Sequence, residues 1–306
     1  MSHTLVDELA HGAALVASEP PPGPAAPGRR PDLRRLARFL LYRPGLVVSI
    51  AILVLVLIAA IRPHVFTSAD PLQGVASENF RSPSGEHWFG TDELGRDLFS
   101  RVVFGAQLSL AATLIAVSVA FLAGGLLGLL AGFVGRWVDD AIMRFVDILL
   151  AIPALLLSLA LVTALGHGTV KVAIAVGIAS VAAFARVMRA EVLRVRQAVF
   201  VEAARASGTH WYTVLRQHVL PNAIGPIMVL AVLDFGAAIL AVSSLSFLGY
   251  GAPPPAPEWG TLIAGGRNYL GTAWWLTALP GLALAATVLA AGRVARALDG
   301  EWSRQR

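Results

Sequence analysis

The chain has no cysteine and only one lysine, Lys171, in 306 residues. Without thiols it can form no disulfide, bind no metal through a thiolate and carry no cysteine nucleophile. Charged residues make up only 14% of the chain, against roughly a quarter in soluble domains. A soluble fold of this length would have too little polar surface to cover itself. No GxxxxGK[ST] stretch occurs, so the chain binds no nucleotide through a P-loop. His64, His87, His167, His210 and His218 lack metal-ligand spacing, and the His210/His218 pair is eight residues apart rather than four. Ser243, Ser244 and Ser246 have no nucleophile-elbow context and no partnered histidine.

Apolar residues are abundant, at 56% of the chain, and they are grouped in long runs. A membrane-spanning helix needs about 20 such residues. Six runs qualify: 46–61, 104–130, 142–165, 170–187, 224–248 and 273–291. Gly124, Gly125, Gly128 and Pro153 fall within them, which membrane helices tolerate because small residues allow close helix contact. The expected fold is an all-α integral membrane protein of six transmembrane helices.

Basic residues set the expected orientation. Eighteen of the 24 fall on one side of the runs, including Arg136, Arg144, Arg186, Arg189, Arg194, Arg196, Arg205, Arg216 and Arg293. Arg62, Arg81, Arg96, Arg101, Lys171 and Arg267 fall on the other. The rule predicts both termini in the cytoplasm, the 186–222 loop inside, and the 62–103 and 249–272 segments outside. The net charge of +5 then reflects orientation, not nucleic-acid binding.

The expected organisation follows from these placements. Residues 1–34 form a Pro-rich cytoplasmic tail, whose six prolines between Pro20 and Pro31 cannot bury a core. The Arg29–Arg43 cluster lies too deep for a cleaved signal peptide. A first spanning helix covers 35–62, an extracytoplasmic segment 63–103, a five-helix core 104–296, and a cytoplasmic end 297–306.

Three local patterns stand out. Glu202-Ala203-Ala204, then Gly208, then Leu220-Pro221, lies on the arginine-rich side between the fourth and fifth runs. Val199–Ser207 reads as a helix broken by Gly208, and Thr209–Val219 as a second helix ending before Pro221. Trp211, Tyr212, Leu215 and Val219 would supply one apolar face, suited either to a groove on a partner or to the lipid headgroups. On the other side, Thr91 is placed to cap a short helix with Asp92 and Glu93 in its first turn. Trp88 and Phe89 would anchor it at the interface, and Trp259, Trp274 and Trp275 would form an aromatic belt. Pro253–Pro257 with Trp259 would form a short re-entrant element. Finally, two carboxylates sit in apolar runs. Asp147, beside Arg144, reads as a structural pair or an interfacial group. Asp234 either lines a path or contacts another chain, or is paired structurally.

The Glu-Ala-Ala, Gly and Leu-Pro pattern resembles the cytoplasmic coupling loop of ABC-importer permeases. Four more stretches resemble the C-type permease subunit of dipeptide, oligopeptide and nickel importers. These are Phe89–Asp97 with Ser100-Arg101 and Gly105–Leu110; Arg144–Pro153; Ser244–Gly251; and Pro253–Pro257 with Trp259-Gly260. The resemblance covers about residues 35–285. It implies a type I importer permease fold and alternating access driven by a separate ATPase.

It further implies a second homologous permease, two ABC ATPase subunits holding ATP and Mg, an extracytoplasmic binding protein and a lipid bilayer as partners, with no nucleic acid. The implied coupling-loop residues are Glu202, Ala203, Ala204, Gly208, Leu220 and Pro221 of 199–222. Asp234, Ser244, Ser246 and Phe247 are implied at the path or the permease interface. Gly90, Thr91, Asp92, Gly95, Arg96 and Asp97 form the implied extracytoplasmic motif. Nickel, a glycan or another small solute are alternative cargoes to di- or oligopeptides, and a non-transporting membrane scaffold is the alternative of a different class. The sequence departs from the family pattern in Ala241-Val242-Ser243, where a Glu is usual, and in Ala291-Gly292-Arg293 and Asp299-Gly300. Those departures bear on the substrate more than on the fold.

Overall fold

The computed structural model describes residues 44–302, with side chains described through 297. The Pro-rich tail, the Arg29–Arg43 cluster and the extreme C-terminus lie outside the described residues. Among the described residues there is no strand; two isolated bridges, Gly74 to Arg96 and Thr91 to Asp97, are the extent of β pairing.

Among the described residues, eleven α-helical pieces carry the fold. Helix α1 is Pro44–Ile61, apolar all round, burying only Ser49 and Ala59. Helices α2 (Leu98–Val119) and α3 (Gly125–Val134) run on through a π turn at Ala120–Gly124 to make one 37-residue span. Next come α4 (Arg136–Ala151), α5 (Ala154–Leu165), α6 (Thr169–Arg196) and the short α7 (Val199–Ala206). One turn of helix, α8 (Trp211–Thr213), passes through a π segment at Val214–Val219 into α9 (Leu220–Leu245). Helix α10 (Trp259–Gly266) is short, and α11 (Trp275–Trp302) closes the chain.

Among the described residues, five helical stretches are long and apolar enough to cross a membrane. They correspond to five of the six expected spans. The expected third span, 142–165, is not one helix. It is the pair α4 and α5, bent by 96°. The cause is Pro153, which has no N–H and holds Ile152 in extended backbone (ψ 129°). With 12 residues, α5 reaches only about 18 Å, less than the roughly 30 Å hydrocarbon core. Only together does the pair make a sixth crossing.

Helix α6 is the hub. It buries residues on several faces, from Val172 to Val195, against α2, α3, α4, α5 and α9. Glycine makes the closest of these contacts. A Cβ at Gly128 would lie 2.3 Å from the Ala185 carbonyl, and one at Gly124 would lie 2.5 Å from the Val181 carbonyl. Gly132 meets Val192 in the same way. The three glycines are spaced i, i+4, i+8, so they share a stripe on which α6 lies backbone to backbone. Arg189 adds a two-pronged ion pair to Asp139 of α4, at 2.5 and 2.7 Å. Arg196 caps the end of α3 by donating to the Gly132 and Phe133 carbonyls.

Candidate coupling loop and translocation-path residues

The arginine-rich end of the bundle carries the Glu-Ala-Ala loop. Ala198 is extended, and Val199–Ala206 forms α7, with Glu202 in its first turn. Gly208 stands at φ +76°, the left-handed turn expected of it. Thr209 donates its N–H back to Ala204. One side chain of α7 is fully buried: Val201, in a cluster with Phe184, Met188, Val192 and Val195 of α6 and with Val214 and Val219. Ala204 and Leu220 are half-buried, whereas Glu202, Ala203, Gly208 and Pro221 face outward. The loop is therefore pinned by Val201 and presents its polar, small-residue side to the exterior.

The second half of the loop differs from expectation in two ways. The helix does not end before Pro221 but runs through it to Tyr250. The wide π turn at Val214–Val219 absorbs the donor that proline lacks, and the Asn222 side chain supplies one to the His218 carbonyl at 2.7 Å. Nor do Trp211, Tyr212, Leu215 and Val219 share a face. Val219 is buried and Leu215 half-buried, while Trp211 and Tyr212 are 68% and 57% exposed. An open groove of about 540 Å³ adjoins the loop, lined by Arg194, Val195, Phe200, Pro221, Asn222 and Met228 among others.

At the opposite end, the Gly90–Asp97 stretch is a folded knot. Thr91 is not a helix cap. It pairs with Asp97, and its hydroxyl lies between the Glu78 carbonyl and the Arg81 N–H. The cap is Asp97, which accepts the Ser100 N–H at 2.7 Å and holds the ring of His87 at 2.9 Å. Buried Asp92 is the centre. It accepts the N–H groups of Leu94 and Arg96 and the Arg96 Nε at 2.6 Å, with Arg101 Nε 3.6 Å away. Arg101 also donates to the Pro71 carbonyl. Gly95 (φ +69°) lies against the Val75 carbonyl, where a Cβ would come within 1.9 Å. All six predicted motif residues are brought together, and they tie the long 62–97 segment to the start of α2.

The tryptophans correct the belt expectation. Trp274 is exposed, but Trp275 is buried and donates its Nε1–H to the Thr91 carbonyl. Trp259 is 1% exposed; its indole donates to the Val102 carbonyl and its backbone N–H to Ser109. Its ring lies on Gly105, where no larger residue fits without displacement. Phe89 packs edge-on against Phe99, and Trp88 stays exposed beside it.

The four path candidates, on α9 and the π turn Ser246–Tyr250 that continues it, do not converge. Asp234 is half-buried. Ser180 of α6 is its hydrogen-bond partner, and its Oδ2 has none. Ser246, twelve residues on, is about 18 Å further along the helix. Ser244 bonds back to its own helix at Leu240, and Phe247 is half-buried. Asp147 pairs with Arg186 at 2.7 Å, not with Arg144, and the pair is largely exposed.

Sequence reasoning missed Glu258. It is 1% exposed and accepts from Ser246 Oγ (2.6 Å), the Ala252 N–H (2.7 Å) and Thr169 Oγ1 (3.3 Å). The signal was a lone carboxylate between Pro257 and Trp259 in an otherwise uncharged stretch. Near it opens a cavity of about 460 Å³, whose wall includes Asp92, Arg101, His167, Ser246, Gly249 and Ala264.

Comparison with known proteins agrees with this architecture. Residues 124–304 match the model of the binding-protein-dependent transport system inner membrane component family. The chain is 41% identical to a dipeptide transport system permease protein of Alkalihalophilus pseudofirmus, over 79% of this chain and 80% of that protein. It is 41% identical to a probable D,D-dipeptide transport system permease protein of Escherichia coli, over 83% and 86%. Its fold is shared with a crystal structure of an amino acid ABC transporter with histidines, at TM-score 0.52 and 17% identity, over 67% of this chain and 95% of that one. Family, architecture and apolar spans together make this an inner-membrane protein. The chain belongs to the binding-protein-dependent inner-membrane component family and is the permease subunit of an ABC importer.

Proposed function

We propose that this permease forms half of a path for di- and oligopeptides delivered by an extracytoplasmic binding protein. It pairs with a second, homologous permease. The loop 199–222 lies in the cytoplasm and docks on one of two ATPase subunits, which bind ATP and Mg. ATP binding closes the ATPase pair, the loop moves, and the end carrying the 62–97 segment opens to receive solute. The observation that carries the coupling role is the form of α7. It is pinned by a single buried side chain, Val201, and turns Glu202 and Ala203 outward beside an open groove. A short helix so presented fits a groove on a partner. The peptide cargo is supported by the names of the relatives at 41% identity.

The test is co-purification of the whole transporter in mild detergent, followed by uptake of a labelled dipeptide into proteoliposomes holding ATP. Wild type is expected to bring down the ATPase and to transport. Glu202→Lys and Gly208→Asp are expected to insert normally but lose ATPase or uptake. A wild-type chain that comes down alone in several detergents overturns the docking role. An assembled transporter that binds and moves no peptide overturns the cargo.

A further inference from the structure

We propose that Glu258 is the positioning residue of a latch that holds the far end of the bundle closed. The proposal rests on the nucleotide-driven alternation described above and is independent of the cargo. One carboxylate joins three segments: the π turn that follows α9 through Ser246, the next loop through the Ala252 N–H, and the first turn of α6 through Thr169. None of these donors is a cation. A buried carboxylate held only by neutral donors is costly to leave short of partners, so each donor it keeps matters.

The surroundings are built to its shape. A Cβ on Gly251 would lie 2.7 Å from Glu258 Oε2, and one on Gly260 would lie 2.4 Å from the Ser243 carbonyl. Two further contacts close the same seam between α6 and α9. The Gly168 N–H donates to the Tyr250 carbonyl at 2.8 Å, and the ring of His167 stacks on Tyr250.

The geometry also says which bond yields. Ser246 and Ala252 hold Glu258 at 2.6 and 2.7 Å, whereas Thr169 reaches it at 3.3 Å. Ser246, Ala252 and α10 follow one another closely in the chain, and Thr169 comes from the other side of the seam. Opening between α6 and α9 therefore breaks the Thr169 bond and keeps the other two. The cavity walled by His167, Gly249 and Ala264 lies along this seam.

The absence of cysteine makes a direct test possible. Ala264→Cys places one thiol on the cavity wall of the assembled transporter, its other subunits freed of reactive cysteines. A membrane-impermeant maleimide reports how open that wall is, with and without vanadate-trapped nucleotide. If wild-type labelling does not change with nucleotide, the alternation itself fails. Given that change, Thr169→Val is expected to raise the nucleotide-free rate about tenfold, equivalent to about 1.4 kcal/mol. Thr169→Ser keeps the hydroxyl and is expected to restore the slow rate. Glu258→Gln sets an amide donor among donors and is expected to exceed Thr169→Val; if it fails to assemble, the Thr169 pair decides. An assembled Thr169→Val transporter that labels as slowly as wild type overturns the latch. So does a Thr169→Ser variant that labels as fast as Thr169→Val.

Discussion

Val201→Ala is the sharpest probe of how the candidate coupling loop is held. Val201 is fully buried, and it is the one buried residue of α7. The substitution removes two methyl groups from the cluster with Val214, Val219 and Met188. At about 0.8 kcal/mol per buried carbon, with a cavity term added because α6 cannot collapse inward, the loss is about 2 kcal/mol. That loss raises the population of detached α7 about 30-fold. The fold itself is expected to survive, since the hub contacts of α6 are untouched. Amide hydrogen exchange across Val199–Ala206 in the assembled transporter reads the change directly, because local opening sets the exchange rate. Exchange there is expected to accelerate about 30-fold, while amides of α6 between Val172 and Val181 keep their protection. ATP hydrolysis is expected to continue with less uptake per ATP. Unchanged exchange in α7 would refute the reasoning, because it would mean that something other than Val201 pins the loop.

Three further outcomes follow from the packing. Gly128→Ala drives a Cβ into the Ala185 carbonyl, whereas Gly125 has nothing within 4 Å of its missing Cβ; thermal unfolding in detergent should show a large loss for the first and almost none for the second. Asp139→Asn breaks a partly buried, two-pronged pair with Arg189 and is expected to cost about 1–2 kcal/mol. Asp147→Asn touches an exposed pair and is expected to cost less than about 0.5 kcal/mol in the same melt. Gly95→Ala meets the Val75 carbonyl and a strained φ together, so the 62–97 segment should become sensitive to limited proteolysis, while Gly85→Ala, with nothing within 4 Å of its missing Cβ, serves as the unaffected control.

The legible part of this protein was what rests on local chemistry. Long apolar runs marked the spans, and Gly208 marked its left-handed turn, because both depend on a few adjacent residues. Pro153 was visible too, but its consequence was not. A proline in a membrane run can be absorbed, as Pro226 is inside α9, or can break the run, as Pro153 does. What neighbours supply to the freed backbone decides between the two, and neighbours are not local in sequence. The same limit explains the tryptophans. Trp259 and Trp275 carry the composition of an interfacial belt, yet their indole donors are taken by the Val102 and Thr91 carbonyls, 157 and 184 residues away. Thr91 was misjudged because Ser, Thr and Asp all read as caps, and Asp97 took the role by standing directly before α2. Glu258 was invisible because a lone carboxylate gains its meaning from Ser246, Ala252 and Thr169, which only the fold assembles.

Both ends of the molecule meet on one rod. The stretch Trp211–Tyr250 is helical over 40 residues, about 60 Å. It begins at the base of the coupling loop, where Val214 and Val219 share a cluster with Val201. It ends at Ser246, held by Glu258, and Gly249, at φ +98°. A π turn lies at each end, at Val214–Val219 and Ser246–Tyr250. Such turns widen the helix by one residue and relax its hydrogen bonding locally. Between them the rod packs on α6 through Ile227, Ala238 and Val242, and on α11 through Gly236. Under the proposed docking, a displacement imposed at α7 enters this element at one softened turn. It leaves at another, next to the bond between Glu258 and Thr169. Coupling across this distance needs an element with two arrangements at its far end, and in the latch proposed above the Thr169 bond, longest of the three at that carboxylate, is that element.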